Sequence, residues 1–149
     1  MAVHTRDAQI IALRETALRA RAACYPRYSG FAVLAAVERI DGATYGGANV
    51  EVVNYTLTKH AEEAAAMAAI ADGALELGDK WLSAVYTVDY PPCGSCRQFL
   101  WEWATPDATC FVEKIEDGGE TTLQVFRLAE LLPEPFDPSL LPDRRLAAG

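Results

Sequence analysis

One histidine and two cysteines, far apart in the chain, restrict the fold more than any other residues because their chemistry needs them together. His60-Ala61-Glu62 precedes Pro92-Cys93-Gly94-Ser95-Cys96, with His60 lying 33 positions before Cys93 and 36 before Cys96. One imidazole and two thiols are three zinc ligands, and a catalytic zinc takes three protein ligands and keeps a fourth position for water. Glu62 is not needed for the charge of such a metal, so it is free to move protons. The pattern predicts one zinc per subunit on His60, Cys93 and Cys96, with Glu62 as acid and base. A structural zinc site would need a fourth protein ligand, and the spare candidates His4, Cys24 and Cys110 show no paired spacing. A thioredoxin-like redox pair would also use Cys-Gly-Ser-Cys at a helix start. That reading leaves His60 and Glu62 without a role.

The rest of the pattern supplies a sheet on which these segments can meet. Apolar residues at helical spacing (Ile10, Ile11, Leu13, Leu18) predict a helix from about Asp7 to Ala23, with Thr5 or Asp7 as its cap. Phe31 to Val37 reads as a strand buried on both faces, Asp41-Gly42 as a hairpin turn, and Thr44 to Val50 as its partner. Thr58 to Ala71 is rich in alanine and strongly helical, suited to lie close against a sheet. Trp81 to Val88 reads as a third strand, stopped by Pro91-Pro92, and Cys93 to Trp103 as a helix. Ala108 to Glu113 and Thr121 to Val125 read as strands joined through Asp117-Gly118-Gly119, followed by a short helix from Arg127 to Leu132. The tail from Pro133 holds four of the eight prolines and is expected to be extended. A hairpin followed by βα crossovers predicts an α/β fold: a three-layer α/β/α sandwich on a mixed five-stranded sheet, one domain over residues 1–149.

Composition narrows the partners. The formal charge is −8, with no cationic run longer than Arg144-Arg145. A grip on a polyanion draws on cationic contacts to phosphates, so a small substrate is expected and a nucleic acid strand is not. No apolar run approaches the roughly 20 residues of a membrane span. The first residues lack the basic and apolar regions of a secretory leader, which predicts a cytoplasmic protein with free thiols. Cys24 and Cys110 are expected to be buried and inert.

Around the ligands, the chain resembles the small, single-domain cytidine deaminases over about residues 10 to 140. Tyr28-Ser-Gly-Phe-Ala-Val-Leu-Ala-Ala36 is similar to the family's YSxFxVGAA, Asn49-Val-Glu51 to its NVE and Pro92-Cys-Gly-Ser-Cys-Arg-Gln98 to its PCGxCRQ. Leu131-Leu-Pro-Glu-Pro-Phe-Asp-Pro138 is similar to its LLPxxFGP. The resemblance implies hydrolytic deamination of cytidine and 2′-deoxycytidine in pyrimidine salvage. Water activated at the zinc attacks C4, and Glu62 carries protons to N3 and to the departing amine. It also implies that Phe31 packs on the base, that the Ala61 N–H meets O2, and that the Pro91 carbonyl accepts from the amino group. Asn49 and Glu51 would hold the ribose 3′-hydroxyl. In the homotetramer the resemblance implies, Phe136 would reach the base in a neighbouring subunit; a dimer is the second expectation.

The departures from the family pattern are informative. Many small members carry Cys where His60 stands and Arg where Glu63 stands. Both change here together, as a neutral ligand removes the need for an offsetting arginine. Val52 and Val53 replace more polar residues, and Leu34 and Asp137 replace glycines. The altered loop at Val52, Val53 and Tyr55 motivates a rival substrate, a modified aminopyrimidine nucleoside such as an N4-substituted cytidine or an antibiotic like blasticidin S.

Overall fold

Alternation along the strands sorts the apolar side chains to the two faces of one sheet. The computed structural model describes residues 2–141, with side chains from residue 6 onward. Strands β1 (Leu34–Arg39), β2 (Thr44–Ala48), β3 (Leu82–Val88), β4 (Ala104–Ile115) and β5 (Thr121–Arg127) lie in the order β2-β1-β3-β4-β5. β3 and β4 are parallel and the other neighbours antiparallel, so the sheet is mixed. The helices are α1 (Ala2–Arg19), α2 (Ala61–Ala71), α3 (Gly94–Trp101) and α4 (Leu128–Leu131). Leu34, Ala36, Ala48, Tyr86 and Phe111 pack against Leu13 and Ala17 of α1. Val37, Val85, Cys110 and Val112 face the other way, onto Ala65, Ala66 and Ala69 of α2, Leu100 of α3 and Leu128 of α4. Three layers result, as the element order predicts.

Two glycines on β2 set how close the helices come. A Cβ on Gly46 would sit 2.6 Å from the Thr16 carbonyl oxygen of α1. One on Gly47 would sit 2.1 Å from the Ala61 carbonyl oxygen and 2.4 Å from the Ala65 nitrogen of α2. Neighbouring strand residues point to opposite faces, so this pair lets one helix rest on bare backbone on each side. The alanines of α2 complete that contact, all of them small. Further along the sheet, Ser83 interrupts the β1–β3 register, since Glu38 pairs with Ala84 and Arg39 with Leu82. Its hydroxyl lies within bonding distance of the Glu38 and Arg39 carbonyls, 3.1 and 3.2 Å away. This bulge lets Leu82 and Ala84, two residues apart, pack into opposite halves of the core.

A buried carboxylate ties the outer helix to the sheet. Glu113 is 3% exposed and takes Arg14 Nε on both oxygens, at 2.9 and 3.1 Å, and the Tyr86 hydroxyl at 2.7 Å.

Several boundaries differ from expectation. α1 begins at Ala2, so Thr5 and Asp7 lie inside the helix and do not cap it. β1 begins at Leu34: the Asn49 side chain bonds the Phe31 carbonyl and the Val33 N–H, taking that stretch out of the ladder. α3 ends at Trp101, and β4 starts at Ala104, four residues earlier than the apolar run suggested. The end of the expected tail, residues 142–149, lies outside the described residues. Among the described residues, no helix is long and apolar enough to cross a membrane.

Candidate metal centre and active site

Two helix beginnings form the site. His60 is the residue before α2, held by a pair of backbone bonds between Lys59 and Val50, each 3.0 Å. Cys93 is the residue before α3, and Cys96 lies in its first turn. The turn from β3 into α3 thus brings two sulfurs to the imidazole. His60 Nδ1 is 3.3 Å from each of the Cys93 and Cys96 sulfurs, and the three ligand atoms lie within 4.8 Å of one another. Zinc bond lengths of about 2.3 Å to sulfur and 2.0–2.1 Å to nitrogen, at tetrahedral angles, put such atoms roughly 3.6 Å apart. Geometry and donor type both fit zinc. Burial, with Glu62 and Cys93 nearby, pushes the Cys96 thiol up, so binding a cation there releases a proton. Among the described residues no fourth ligand joins the three, which is the pattern of a catalytic centre.

Glu62 lies beside the cluster and is 4% exposed. Burial raises its carboxyl above the ordinary carboxylate range, while Cys96 and His60 pull the other way. Its neighbour Glu63 turns back and accepts the His60 backbone N–H at 3.4 Å. Standing where many family members have Arg, Glu63 thereby takes a part in fixing the chain that carries His60.

A cavity of about 240 Å³ opens onto His60, Glu62 and Cys93. Ala61 and Pro91 line it, and Ala61, first in α2, has no intrahelical acceptor for its N–H. Asn49 also lines it, but its carboxamide is already engaged, accepting from Val33 N–H at 2.9 Å and the Cys24 thiol at 3.1 Å, and donating to the Phe31 carbonyl at 2.8 Å. Glu51 borders an adjoining hollow and takes the Tyr28 and Ser29 N–H groups at 2.7 and 3.0 Å, plus the Ser29 hydroxyl. These bonds hold its carboxyl below its ordinary value. Phe31 is half exposed and lies beside the cavity, its ring packed on that of Tyr90. Phe136 is 62% exposed and does not line this cavity.

A family model described as the cytidine and deoxycytidylate deaminase zinc-binding region matches residues 8–112. The chain belongs to the cytidine deaminase family. It is 37% identical over 143 residues to a cytidine deaminase of Mycobacterium tuberculosis, covering 89% of this chain and 93% of that one. It is 33% identical over 124 residues to one of Halalkalibacterium halodurans, covering 83% of this chain and 91% of the relative. The crystal structure of cytidine deaminase from Burkholderia pseudomallei superimposes with a TM-score of 0.70 at 32% identity, over 84% of this chain and 97% of that one.

Some of what shapes the site in this cytidine deaminase family member escaped the sequence. Val33, Thr58 and Tyr90 line the cavity, and Tyr90 had one visible signal, an aromatic residue directly before the Pro-Pro stop. Arg97 donates to the Pro92 carbonyl at 2.7 Å and the Leu131 carbonyl at 2.8 Å, bracing the turn that holds Pro91 and Cys93. Gln98 bonds the Phe136 backbone in both directions, at 2.8 and 3.2 Å, and Trp101 donates to Asp137 at 3.0 Å. The helix that presents the cysteines therefore also clips down the C-terminal segment, and Asp137, where the family pattern has glycine, supplies one of the clips.

Proposed function

We propose that this enzyme hydrolyses cytidine and 2′-deoxycytidine to uridine and 2′-deoxyuridine, releasing ammonia, in pyrimidine salvage. The observation that carries the reading is a buried carboxyl, Glu62, beside a three-ligand His/Cys/Cys centre at the floor of a cavity. The zinc, when bound, acts as a Lewis acid that lowers the pKa of water at its fourth position. His60, Cys93 and Cys96 hold it. Glu62 accepts one proton of the attacking water and delivers it to N3 as C4 becomes tetrahedral. It then takes the remaining proton from the new C4 hydroxyl and passes it to the amine as the C4–N bond breaks and the C4 carbonyl forms. Burial suits the proton-accepting half of that task, because a carboxyl held above its ordinary value is a stronger base. The Ala61 N–H and the Pro91 carbonyl orient the base at O2 and at the amino group.

The walls favour a nucleoside over its phosphate. None of the residues lining the cavity or the adjoining hollow is Lys or Arg, and the hollow carries the Glu51 carboxylate. Asn49 and Glu51 hold the ribose 3′-hydroxyl, and the loops they also brace support that reading: Asn49 sets Phe31 to Val33, and Glu51 sets Tyr28 and Ser29. The same reading makes the enzyme a cytoplasmic homotetramer, with a dimer second, in which Phe136 reaches a neighbour's base. Its exposed ring and the apolar loop at Val53, Tyr55 and Leu57 support that assembly.

A nucleoside panel followed by ultraviolet absorbance, with zinc content and light scattering on the same preparation, tests the proposal. Turnover of N4-substituted or antibiotic nucleosides with none of cytidine would replace the substrate by the modified aminopyrimidine.

A further inference from the structure

Building on that deaminase reading, we infer that the Tyr90 ring is a partition that decides which 4-substituted pyrimidine nucleosides the enzyme can turn over. Tyr90 stands where two hollows meet. The cavity at His60, Glu62 and Cys93 holds about 240 Å³, and an outer groove of about 630 Å³ runs along Lys114, Glu116 and Asp117 at the β4–β5 turn. Tyr90 and Pro91 line both, and no other residue is shared. On its other side the cavity communicates through Thr58 and His60 with the hollow at Ser29, Glu51 and Tyr55.

The two openings differ in chemistry. The hollow at Ser29 and Glu51 offers a hydroxyl and a carboxylate, suited to a sugar. The wall at Tyr90 and Pro91 lies two residues from the ligand Cys93, at the end where the attacked carbon sheds its amine. A substituent on that amine would point at the wall. Pro91 is fixed by its ring, so the size of the opening rests on Tyr90.

The Tyr90 ring is packed on one face, and the backbone that precedes it is fixed. Phe31 packs on it with centroids 5.0 Å apart and planes at 49°. The residue before it, Asp89, takes a left-handed φ of 69°. Its N–H donates to the Glu113 carbonyl at 2.6 Å, and its carboxylate accepts the Ile115 N–H at 3.2 Å. A wall fixed before binding discriminates by shape. Removing the ring would join cavity and groove into one channel, with room for an N4-alkyl chain.

Steady-state kinetics on the zinc-loaded full chain tests this, with cytidine and N4-butylcytidine as substrates. Water adds at C4, the C4–N bond breaks, and uridine forms with ammonia from one and butylamine from the other. Tyr90→Ala should raise the ratio of kcat/KM for N4-butylcytidine over cytidine by about tenfold or more, the scale on which an apolar pocket discriminates bulk. Tyr90→Phe, which keeps the ring, should hold the wild-type ratio. Tyr90→Leu should fall between and keeps the test decisive if the alanine variant does not fold. A ratio unchanged in the alanine and leucine variants, or changed as much in the phenylalanine variant, overturns the partition. Wild-type enzyme inactive on cytidine would instead overturn the deaminase reading.

Discussion

Glu62 sits so close to the centre that its size and polarity count as much as its charge. Glu62→Gln keeps both and removes the proton carrier. The variant should retain zinc by elemental analysis while kcat falls about 10²- to 10⁴-fold; near-normal turnover would reassign the base. Cys110 makes the opposite case, a thiol the chemistry does not use. Burial pushes it up to about 12, so the reactive thiolate is scarce at pH 8. Alkylation followed by mass spectrometry should leave Cys110 unmodified until denaturant is added. At this scale the sequence was most readable where residue type is dictated by chemistry, as at His60, Glu62, Cys93 and Cys96. It was least readable where a polar residue serves the backbone. Asn49 and Glu51, which the family resemblance puts at the ribose, also bond to Phe31, Val33, Tyr28 and Ser29. Nothing in a short motif reveals which loop will fold back onto it.

Elements were legible as kinds and less so as edges. The Ala-rich run over α2 announced a helix packed on a sheet. The reason it can lie there is Gly47, some fourteen residues earlier on a different element, and a glycine in a strand gives no hint of what approaches it. Gly47→Ala should therefore act at a distance. The added methyl would collide with the Ala61 carbonyl and the Ala65 nitrogen. Overpacking of this kind costs about 1–3 kcal/mol. The shift of the first turn of α2 should also weaken zinc binding by about 10- to 100-fold, the usual effect of disturbing what supports a ligand. Thermal unfolding and a competitive zinc chelator would measure the two. The grip of α1 on the sheet was equally hidden, since Arg14 and Glu113 are 99 residues apart. Arg14→Ala would leave a nearly buried carboxylate with the Tyr86 hydroxyl as its remaining side-chain partner. The expected cost is about 1–3 kcal/mol, the half-exposed arginine keeping it from being larger. Denaturant melts would show it, and an unchanged midpoint would make the pair incidental.

For the molecule as a whole, metal and fold are linked through two helix starts that have no covalent tie. The described cysteines are free, so the zinc is the one cross-link the site can form between α2 and α3. Stripping it with a strong chelator should abolish activity and lower the unfolding temperature, with both restored by added zinc. The stabilisation lost is about 4 kcal/mol where free zinc stands a thousandfold above its dissociation constant. An unfolding temperature indifferent to the chelator would mean the helix starts hold themselves in place. Element order alone predicted the three layers and the mixed sheet, because a hairpin and βα crossovers leave few ways to arrange five strands. The bare backbone at Gly46 and Gly47 has a consequence for how such a molecule can diverge. The strand backbone at Gly47, under the first turn of α2, tolerates no added atoms, whereas Tyr28, Tyr55 and Tyr90 stand partly in solvent around the rim. A saturation library should come back lopsided around a single cavity, barren below and permissive above, and new specificities should arise almost entirely from the upper half.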